Sequence, residues 1–219
     1  MVGIKGAIFD VDGTLLDSMW IWASVGASYL KNLGITPTRE LFEALSARNG
    51  VEGAKYLQSE YGVGIGSVVL EDWRTGMSYD IYLDGVTLKK GVLQVLETLR
   101  SNGVRMCAAT ATDRYLVEPA LRKCGISEYI GKIFTCGEEH TNKRSPDIFI
   151  RAAAFLGTDI CDTLVIEDSL HALQTAKNAG FTVAGVYDLS SANEQKDIME
   201  LCDYYFVSMD EMLSFFDTH

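Results

Sequence analysis

Ile8-Phe9-Asp10-Val11-Asp12-Gly13-Thr14-Leu15-Leu16-Asp17 is the stretch around which the rest of the sequence is arranged. The apolar run that ends at Phe9 predicts a buried strand, and Gly13 breaks the extended geometry after it. Side chains two residues apart in an extended segment point to the same side, so Asp10 and Asp12 face one small volume. Two carboxylates this close repel each other unless a cation, a shared proton or a cationic neighbour compensates.

Three interpretations of this stretch compete. A calcium loop of the EF-hand type is excluded, because counting from Asp10 the glycine is fourth instead of sixth and the twelfth residue is Ile21, which offers no oxygen. A plain turn would use aspartate and glycine only for their turn propensity. An aspartyl-phosphate site would use one carboxylate as the nucleophile and the other as the acid and base. This stretch alone leaves the last two open.

Length and composition indicate a folded chain with a core and a smaller second domain. The sequence has 219 residues, of which 47% are hydrophobic. No apolar run approaches the roughly 20 residues of a membrane-spanning helix. The N-terminus lacks the apolar region of a signal peptide and passes directly into the first strand, so we expect a cytoplasmic protein.

Charge and cysteine content argue against several partners. The formal net charge of -11 repels nucleic acid and anionic membranes, so we expect neither as a partner, and a phosphate site must be locally positive. The 5 cysteines stand singly, without a C-x-x-C pair, and their number is odd. This pattern argues against a disulfide framework or a zinc cluster.

The order of the predicted elements indicates an α/β fold with a helical insertion. Residues 17–81 look helical and lack convincing strands, so we expect a helical cap domain inserted after the first strand. Residues 1–16 and 82–219 alternate apolar strands with amphipathic helices, which predicts a core domain with a parallel sheet covered on both faces. Ligands of such sheets bind beyond the carboxyl ends of the strands.

The residues that follow the predicted strands are the candidates for chemistry. They form two acidic pairs, a hydroxyl pair and one lysine, which are the groups needed for phosphoryl transfer to a carboxylate: Asp10 and Asp12, Thr110-Ala111-Thr112, Lys143, and Glu167-Asp168-Ser169. Each also has a structural interpretation, as a turn or cap at Thr110, a solvated loop at Lys143 and a helix N-terminus at Glu167-Asp168-Ser169. Their occurrence together, in this order, favours the functional interpretation.

These segments resemble the motifs of the haloacid dehalogenase (HAD) superfamily. Asp10-Val11-Asp12-Gly13-Thr14 is similar to its first motif and Thr110 matches its second. Lys143-Arg144-Ser145-Pro146-Asp147 is similar to the K-P-x-P-D run of the third, with arginine where proline is common, and Ile166-Glu167-Asp168-Ser169 is similar to the E-D-S of the fourth. The resemblance covers essentially the whole chain. It implies a Rossmann-like HAD core with a helical C1 cap, closest to the β-phosphoglucomutase-like and phosphoglycolate-phosphatase-like branch.

The resemblance also implies the chemistry. It implies Asp10 as the nucleophile, Asp12 as the acid and base, and Thr110 and Lys143 as catalytic residues that also bind the phosphoryl group, with backbone N–H groups near Ala111. It implies Mg²⁺ as the cofactor, and the metal site it implies has these members: a carboxylate oxygen of Asp10, the backbone carbonyl of Asp12, Asp168, and Glu167 directly or through water. The presence of Asp12 favours phosphate esters, since dehalogenase members lack this second aspartate.

The choice between phosphatase and mutase depends on the cap. The sugar-phosphate mutase branch carries a histidine in the first cap helix, and the matching position here is Trp22, which cannot replace the hydrogen bonding of histidine. We therefore expect a phosphatase acting on a small phosphorylated metabolite, sugar phosphates included. Trp22, Arg48 and Arg114 are candidate substrate contacts, although ordinary packing is the more common role of an indole in the cap.

Two alternatives stay open beside the phosphatase. One is a sugar-phosphate mutase of the β-phosphoglucomutase kind, and the other is a non-catalytic binding protein of the same fold. For the oligomeric state we expect a monomer or a weak homodimer.

Overall fold

The computed structural model describes residues 3–38, 40, 41, 44, 50–63 and 78–218. The chain divides into two compact units, one formed by Met1–Asp17 with Leu88–His219 and the other by Ser18–Thr87. The division into a cap domain at 17–81 and a core domain at 1–16 and 82–219 remains a prediction.

The first unit is built on a parallel sheet. Its strands are β1 (Gly6–Phe9), β4 (Arg105–Thr110), β5 (Ile133–Thr135), β6 (Thr163–Glu167), β7 (Thr182–Val186) and β8 (Tyr204–Phe206), while β2 (Leu16–Asp17) and β3 (Thr87–Leu88) form a separate two-stranded sheet. The large sheet has the order β5-β4-β1-β6-β7-β8, and every neighbouring pair is parallel. The predicted α/β fold with a parallel sheet is confirmed.

The register brings the carboxyl ends of three strands together. β1 lies between β4 and β6, and Phe9 at its end is level with Ala108 and Ile166. The residues that follow β1, β4 and β6 are therefore neighbours in space, although they are far apart in the sequence. This edge of the sheet is where the candidate site forms.

Helices cover the sheet. They are α4 (Val92–Ser101), α5 (Arg114–Lys123), α6 (Asp147–Leu156), α7 (Leu170–Asn178), α8 (Gln195–Leu201) and α9 (Met209–Thr218). Phe149 and Ala152 of α6 and Leu173 of α7 pack in one buried cluster with Ile8 and Val165 of the strands. All four residues of β1 are buried, which explains why this strand is a continuous apolar run in the sequence.

The helix α4 shows how the sequence pattern produces the packing. Its residues Val92, Val95, Leu96 and Leu99 are buried and follow the spacing of one helical face. The helix contacts β4 and α9. The spacing of these apolar residues predicts a helix over 91–102, and the observed helix differs from it only at its ends.

The second unit is helical in its described residues. It contains α1 (Met19–Asn32), α2 (Gly50–Tyr61) and α3 (Ser78–Gly85), and α1 contacts the other two. Gly34, with φ of 75°, ends α1 as the sequence predicts, and the N–H of Ile35 donates to the carbonyl of Leu30 at 2.9 Å. The sequence also predicts a helix over 67–82, most of which lies outside the described residues. Across the described ranges, every helix is too short or too polar to cross a lipid bilayer.

Candidate active site

Two of the predicted carboxylates and one hydroxyl lie where adjacent strands end. Asp10 directly follows β1, and its N–H donates to the carbonyl of Ile166 at 2.9 Å, so the parallel ladder continues up to the candidate nucleophile. Glu167 and Thr110 are the last residues of β6 and β4. The side chains of all three are buried. The strand ends therefore place polar groups inside the protein, where each needs a partner.

Lys143 supplies the positive charge. It comes from the loop between β5 and α6, where the side chain of Asn142 accepts a hydrogen bond from the N–H of Arg144 at 2.9 Å and so shapes the turn around Lys143. The Lys143 side chain is only 7% exposed. Its Nζ forms ion pairs with Asp10 Oδ1 and with Glu167 Oε1, the latter at 2.5 Å. The predicted Lys143 and Asp10 are thus in direct contact.

Glu167 is held at both oxygens. Oε1 contacts Lys143, and Oε2 accepts hydrogen bonds from the N–H of Asp168 at 3.0 Å, the N–H of Ser169 at 3.1 Å and the Ser169 hydroxyl at 3.0 Å. These donors precede α7, so the helix start fixes the carboxylate. The segment Glu167-Asp168-Ser169 therefore has two roles at once. It leads into helix α7, and it lines the acidic cluster.

Burial and mutual repulsion shift the titration of these groups. Burial raises the pKa of Asp10 to about 8, with the Glu167 carboxylate adding to the effect and the Lys143 ammonium opposing it. Burial and the charges of Glu167, Asp10 and Asp188 raise the pKa of Asp168 well above its usual value. Burial also acts upward on the pKa of Glu167, but the Lys143 ammonium outweighs it and the pKa is lowered. Burial opposes the charge on Lys143, yet its two carboxylate neighbours dominate and its pKa is raised.

This arrangement fits a divalent metal ion. Asp10, Glu167 and Asp168 each offer a carboxylate oxygen, and these oxygens lie within 4.8 Å of one another. Lys143 pairs with Asp10 and Glu167, and its one positive charge cannot offset all three carboxylates when Asp10, Glu167 and Asp168 are ionised together. A hard cation with oxygen ligands would relieve both the repulsion and the raised pKa values of Asp10 and Asp168.

Asp12 is bound by the second hydroxyl of the pair in Thr110-Ala111-Thr112, to which the family motif assigns no role. The Thr112 hydroxyl donates to Asp12 Oδ2 at 2.6 Å. Asp12 sits in a tight turn in which the N–H groups of Leu15 and Leu16 donate to the Val11 carbonyl, at 2.9 and 2.8 Å. The signal in the sequence was the second hydroxyl of Thr110-Ala111-Thr112, two residues beyond the one that matches the family motif.

Thr110 takes part in a local turn. Its hydroxyl oxygen accepts a hydrogen bond from the N–H of Thr112 at 3.0 Å, which is the structural role that the sequence analysis left open. Ala111 between them is exposed. Contacts of Thr110 and Ala111 with a phosphoryl group stay predictions.

The structure describes the three predicted substrate contacts to different extents. Arg114 pairs with Glu138 at 2.7 Å and donates to the Ile133 carbonyl at 2.7 Å, so its guanidinium has structural partners within the sheet unit. Trp22 belongs to α1. Arg48 lies outside the described residues. A role of these three residues toward substrate stays a prediction.

Several named proteins are similar to the chain at modest sequence identity. It is 28% identical over 191 residues to Protein CbbY of Rhodobacter capsulatus, covering 82% of this chain and 84% of that protein. It is 27% identical over 202 residues to phosphoglycolate phosphatase of Neisseria meningitidis, covering 84% and 80%. With Protein SUPPRESSOR OF QUENCHING 1, chloroplastic, of Arabidopsis thaliana it shares 25% identity over 201 residues, which are 89% of this chain but span only 19% of that longer protein.

Solved structures share the fold. CbbY from Rhodobacter sphaeroides, in complex with xylulose-(1,5)-bisphosphate, superposes with a TM-score of 0.81 at 22% identity, over 95% of this chain and 96% of that one. The β-phosphoglucomutase from Clostridium difficile superposes with a TM-score of 0.75 at 17% identity, over 98% of each chain. At these identities the likeness concerns the fold.

The family is decided by a match along most of the sequence. Residues 7–186 match the haloacid dehalogenase-like hydrolase family. The predicted resemblance, and with it the prediction of an enzyme of this kind, is confirmed. From the first strand through β7, the chain belongs to the haloacid dehalogenase-like hydrolase family.

Proposed function

We propose that the protein is a Mg²⁺-dependent phosphatase that hydrolyses a small organic phosphate monoester through an aspartyl-phosphate on Asp10. The observation that carries the proposal is the buried contact of Asp10 with the Lys143 ammonium beside a cluster of carboxylate oxygens. This combination supplies a nucleophile, a fixed cation and a place for a metal ion in one small volume. The names of the phosphatase relatives agree with it.

In the first half of the proposed reaction, a carboxylate oxygen of Asp10 attacks phosphorus and the bond from phosphorus to the leaving oxygen breaks. Asp12 donates a proton to that oxygen, so an alcohol departs instead of an alkoxide. Lys143 lowers the repulsion between the Asp10 carboxylate and the anionic phosphoryl group. Bound Mg²⁺, held by Asp10 and Asp168 with Glu167 nearby, would supply further charge neutralisation at the phosphoryl oxygens.

In the second half, Asp12 takes a proton from a water molecule, and the oxygen of that water attacks the phosphorus of the aspartyl-phosphate. The bond from phosphorus to Asp10 breaks, which releases inorganic phosphate and restores the carboxylate. The hydrogen bond from Thr112 orients the Asp12 carboxylate during both halves. One carboxylate thus serves first as an acid and then as a base.

The substrate class is a phosphorylated metabolite of the size of a sugar phosphate or a phosphorylated hydroxy acid. This part of the proposal draws on the names of the relatives, which include a phosphorylated carbohydrates phosphatase of Thermotoga maritima at 24% identity. Trp22 at the position of the mutase histidine favours hydrolysis over the mutase alternative. The expectations of a cytoplasmic protein that is a monomer or a weak homodimer stay predictions.

One assay tests the proposal. The protein is incubated with Mg²⁺ and a panel of phosphorylated metabolites, and both free phosphate and positional isomers are measured. We expect phosphate release that disappears in Asp10→Asn and persists in Asp197→Asn, an exposed aspartate of α8. Isomerisation of a hexose phosphate without net release would instead establish the mutase. Absence of both reactions across the panel would favour a non-catalytic binding protein.

A further inference from the structure

A second, partly buried cation, Lys89, lies in the sheet unit outside the cluster described above. Lys89 directly follows β3, and its side chain is 18% exposed. Its Nζ donates to the Gly13 carbonyl at 2.6 Å, to the Tyr187 carbonyl at 2.7 Å and to Asp188 Oδ2 at 2.9 Å. An ammonium has three N–H groups, so these acceptors account for all of its donors.

The contact with Gly13 is a contact with the turn that carries Asp12. Gly13 follows Asp12 directly and adopts φ of 84°, a conformation that favours glycine. Its N–H donates to the Leu16 carbonyl at 2.9 Å, while its own carbonyl accepts from Lys89. The backbone of Lys89 is tied to the same turn, since its N–H donates to the Leu15 carbonyl at 3.0 Å.

Asp188, the acidic partner of Lys89, is held in place by hydrogen bonds. Asp188 follows β7 and is buried, and its Oδ1 accepts hydrogen bonds from the Ser190 N–H at 2.9 Å and the Ser190 hydroxyl at 2.7 Å. Both carboxylate oxygens of Asp188 are therefore in use, one by Ser190 and one by Lys89. The ammonium connects the turn after β1 to the end of β7, across the intervening β6.

We propose that Lys89, held by Asp188, is a positioning residue that fixes the Asp12–Gly13 turn and thereby aims the Asp12 carboxyl group at the leaving oxygen. The inference rests on the proposed phosphatase function and adds to it two residues that belong to none of the family motifs quoted above. Lys89 does not touch the reacting atoms in this assignment. It acts through the backbone carbonyl next to the acid and base.

The test uses two kinds of ester, because only one of them needs the proton from Asp12 in the first step. An alkyl phosphate loses an alkoxide that must be protonated, whereas p-nitrophenyl phosphate loses a stable nitrophenolate. The kcat/KM value reports the steps up to departure of the leaving group. For Lys89→Met we expect kcat/KM to fall by about tenfold to a hundredfold on the best alkyl phosphate of the panel and by less than about threefold on p-nitrophenyl phosphate.

Two further variants complete the design. Asp188→Asn keeps the shape of the side chain and removes the charge, so it should show a smaller loss with the same dependence on the ester, and it serves if Lys89→Met fails to fold. Lys90→Met is the matched control, because Lys90 is the next residue, is 88% exposed and pairs only with Asp210 at 2.6 Å among the contacts described. It should behave like the wild type on both esters.

The outcomes separate the two proposals. A wild type that hydrolyses esters, with Lys89→Met and Asp188→Asn losing equal activity on both, would overturn the positioning role and leave the phosphatase standing. A wild type that hydrolyses neither ester would overturn the phosphatase and the positioning role together.

Discussion

Lys143 stabilises two buried carboxylates at once. Removing one partner of a buried ion pair leaves an uncompensated charge, which costs about 3–5 kcal/mol. We expect Lys143→Met to lower the free energy of unfolding of the metal-free protein by that amount, with a larger loss at higher pH, where Asp10 and Glu167 are ionised. Denaturant titration in EDTA measures the change.

The matched control is Lys177→Met. Lys177 pairs with Asp203 at 2.7 Å, but both side chains are more than a third exposed. Exposed pairs contribute about 0–1 kcal/mol, so this variant should unfold almost like the wild type. Equal effects of the two variants would show that the buried pairing of Lys143 does not stabilise the fold.

Thr112 is the residue for which the structure makes the clearest new assignment in the proposed site. Thr112→Val keeps the shape of the side chain and removes the hydrogen bond to Asp12. A hydrogen bond to a charged group contributes about 1.5–3 kcal/mol, so kcat/KM on an alkyl phosphate should fall by about tenfold or more. Thr175→Val, which removes only a hydroxyl bond to the His171 carbonyl within α7, should leave kcat/KM unchanged. An unchanged value in Thr112→Val would remove Thr112 from the mechanism.

The residues of the cluster differ in how far the sequence reveals them. Asp10 and Lys143 stand in recognisable motifs, and the structure brings them into contact. Thr112 and Lys89 stand in no such motif, because their partners, Asp12 and Asp188, are distant in the sequence and are reached only after folding. Sequence patterns report the geometry of residues that are near each other in the chain. The contacts of Thr112 with Asp12 and of Lys89 with Asp188 form only when distant segments are brought together by the fold.

Among the elements, α4 depends on the glycine that precedes it. Gly91 has φ of 89°, and a Cβ there would lie 2.6 Å from the backbone nitrogen of Asp210 at the start of α9. Gly103, after the same helix, has φ of 75° but no atom within 4 Å of such a Cβ. A side chain at either position would therefore strain the backbone, but only at Gly91 would it also clash with a neighbouring helix.

Alanine at these two glycines separates the two effects. Gly103→Ala should cost about 1–2 kcal/mol through the left-handed backbone alone. Gly91→Ala should cost at least about 1 kcal/mol more, because α9 must move away from α4. Thermal or denaturant unfolding measures both. Equal losses would mean that α9 accommodates the methyl group freely.

The predictability of the elements follows their length and burial. β1, β4 and β6 are apolar runs and α4 has a clear helical period, so all four were predicted within a few residues. β2 and β3 have two residues each, which is too few to show any period, so neither strand was predicted. The sequence predicts a helix over 192–201, whereas the observed α8 begins at Gln195, because a 3₁₀ helix over Leu189–Glu194 precedes it.

At the scale of the whole molecule, stability should depend jointly on pH and on Mg²⁺. The folded metal-free protein binds protons at Asp10, with pKa of about 8, and at Asp168 more tightly than the unfolded chain does. These groups therefore contribute stability that is present at low pH and lost as pH rises toward about 8. Bound Mg²⁺ replaces those protons and should remove most of this loss.

The measurement is Tm in EDTA and in excess Mg²⁺ between about pH 5 and about pH 8. We expect the Tm difference between the two conditions to widen as pH rises. Asp168→Asn should shrink that difference throughout the range. A difference that is constant or narrows with rising pH would contradict metal binding by Asp10 and Asp168.

The central place of β1 has a consequence for the order in which the protein is assembled. β1 precedes β4 and β6 in the chain, yet it pairs with both, through Gly6 with Arg105 and Thr163. A nascent chain that has not yet emerged as far as Glu167 leaves one side of this apolar strand unpaired, and such edges invite association with other chains. Ribosome-bound chains that end between β4 and β6 should therefore expose one side of β1, and the nucleophile reaches its native surroundings only after Glu167 has emerged.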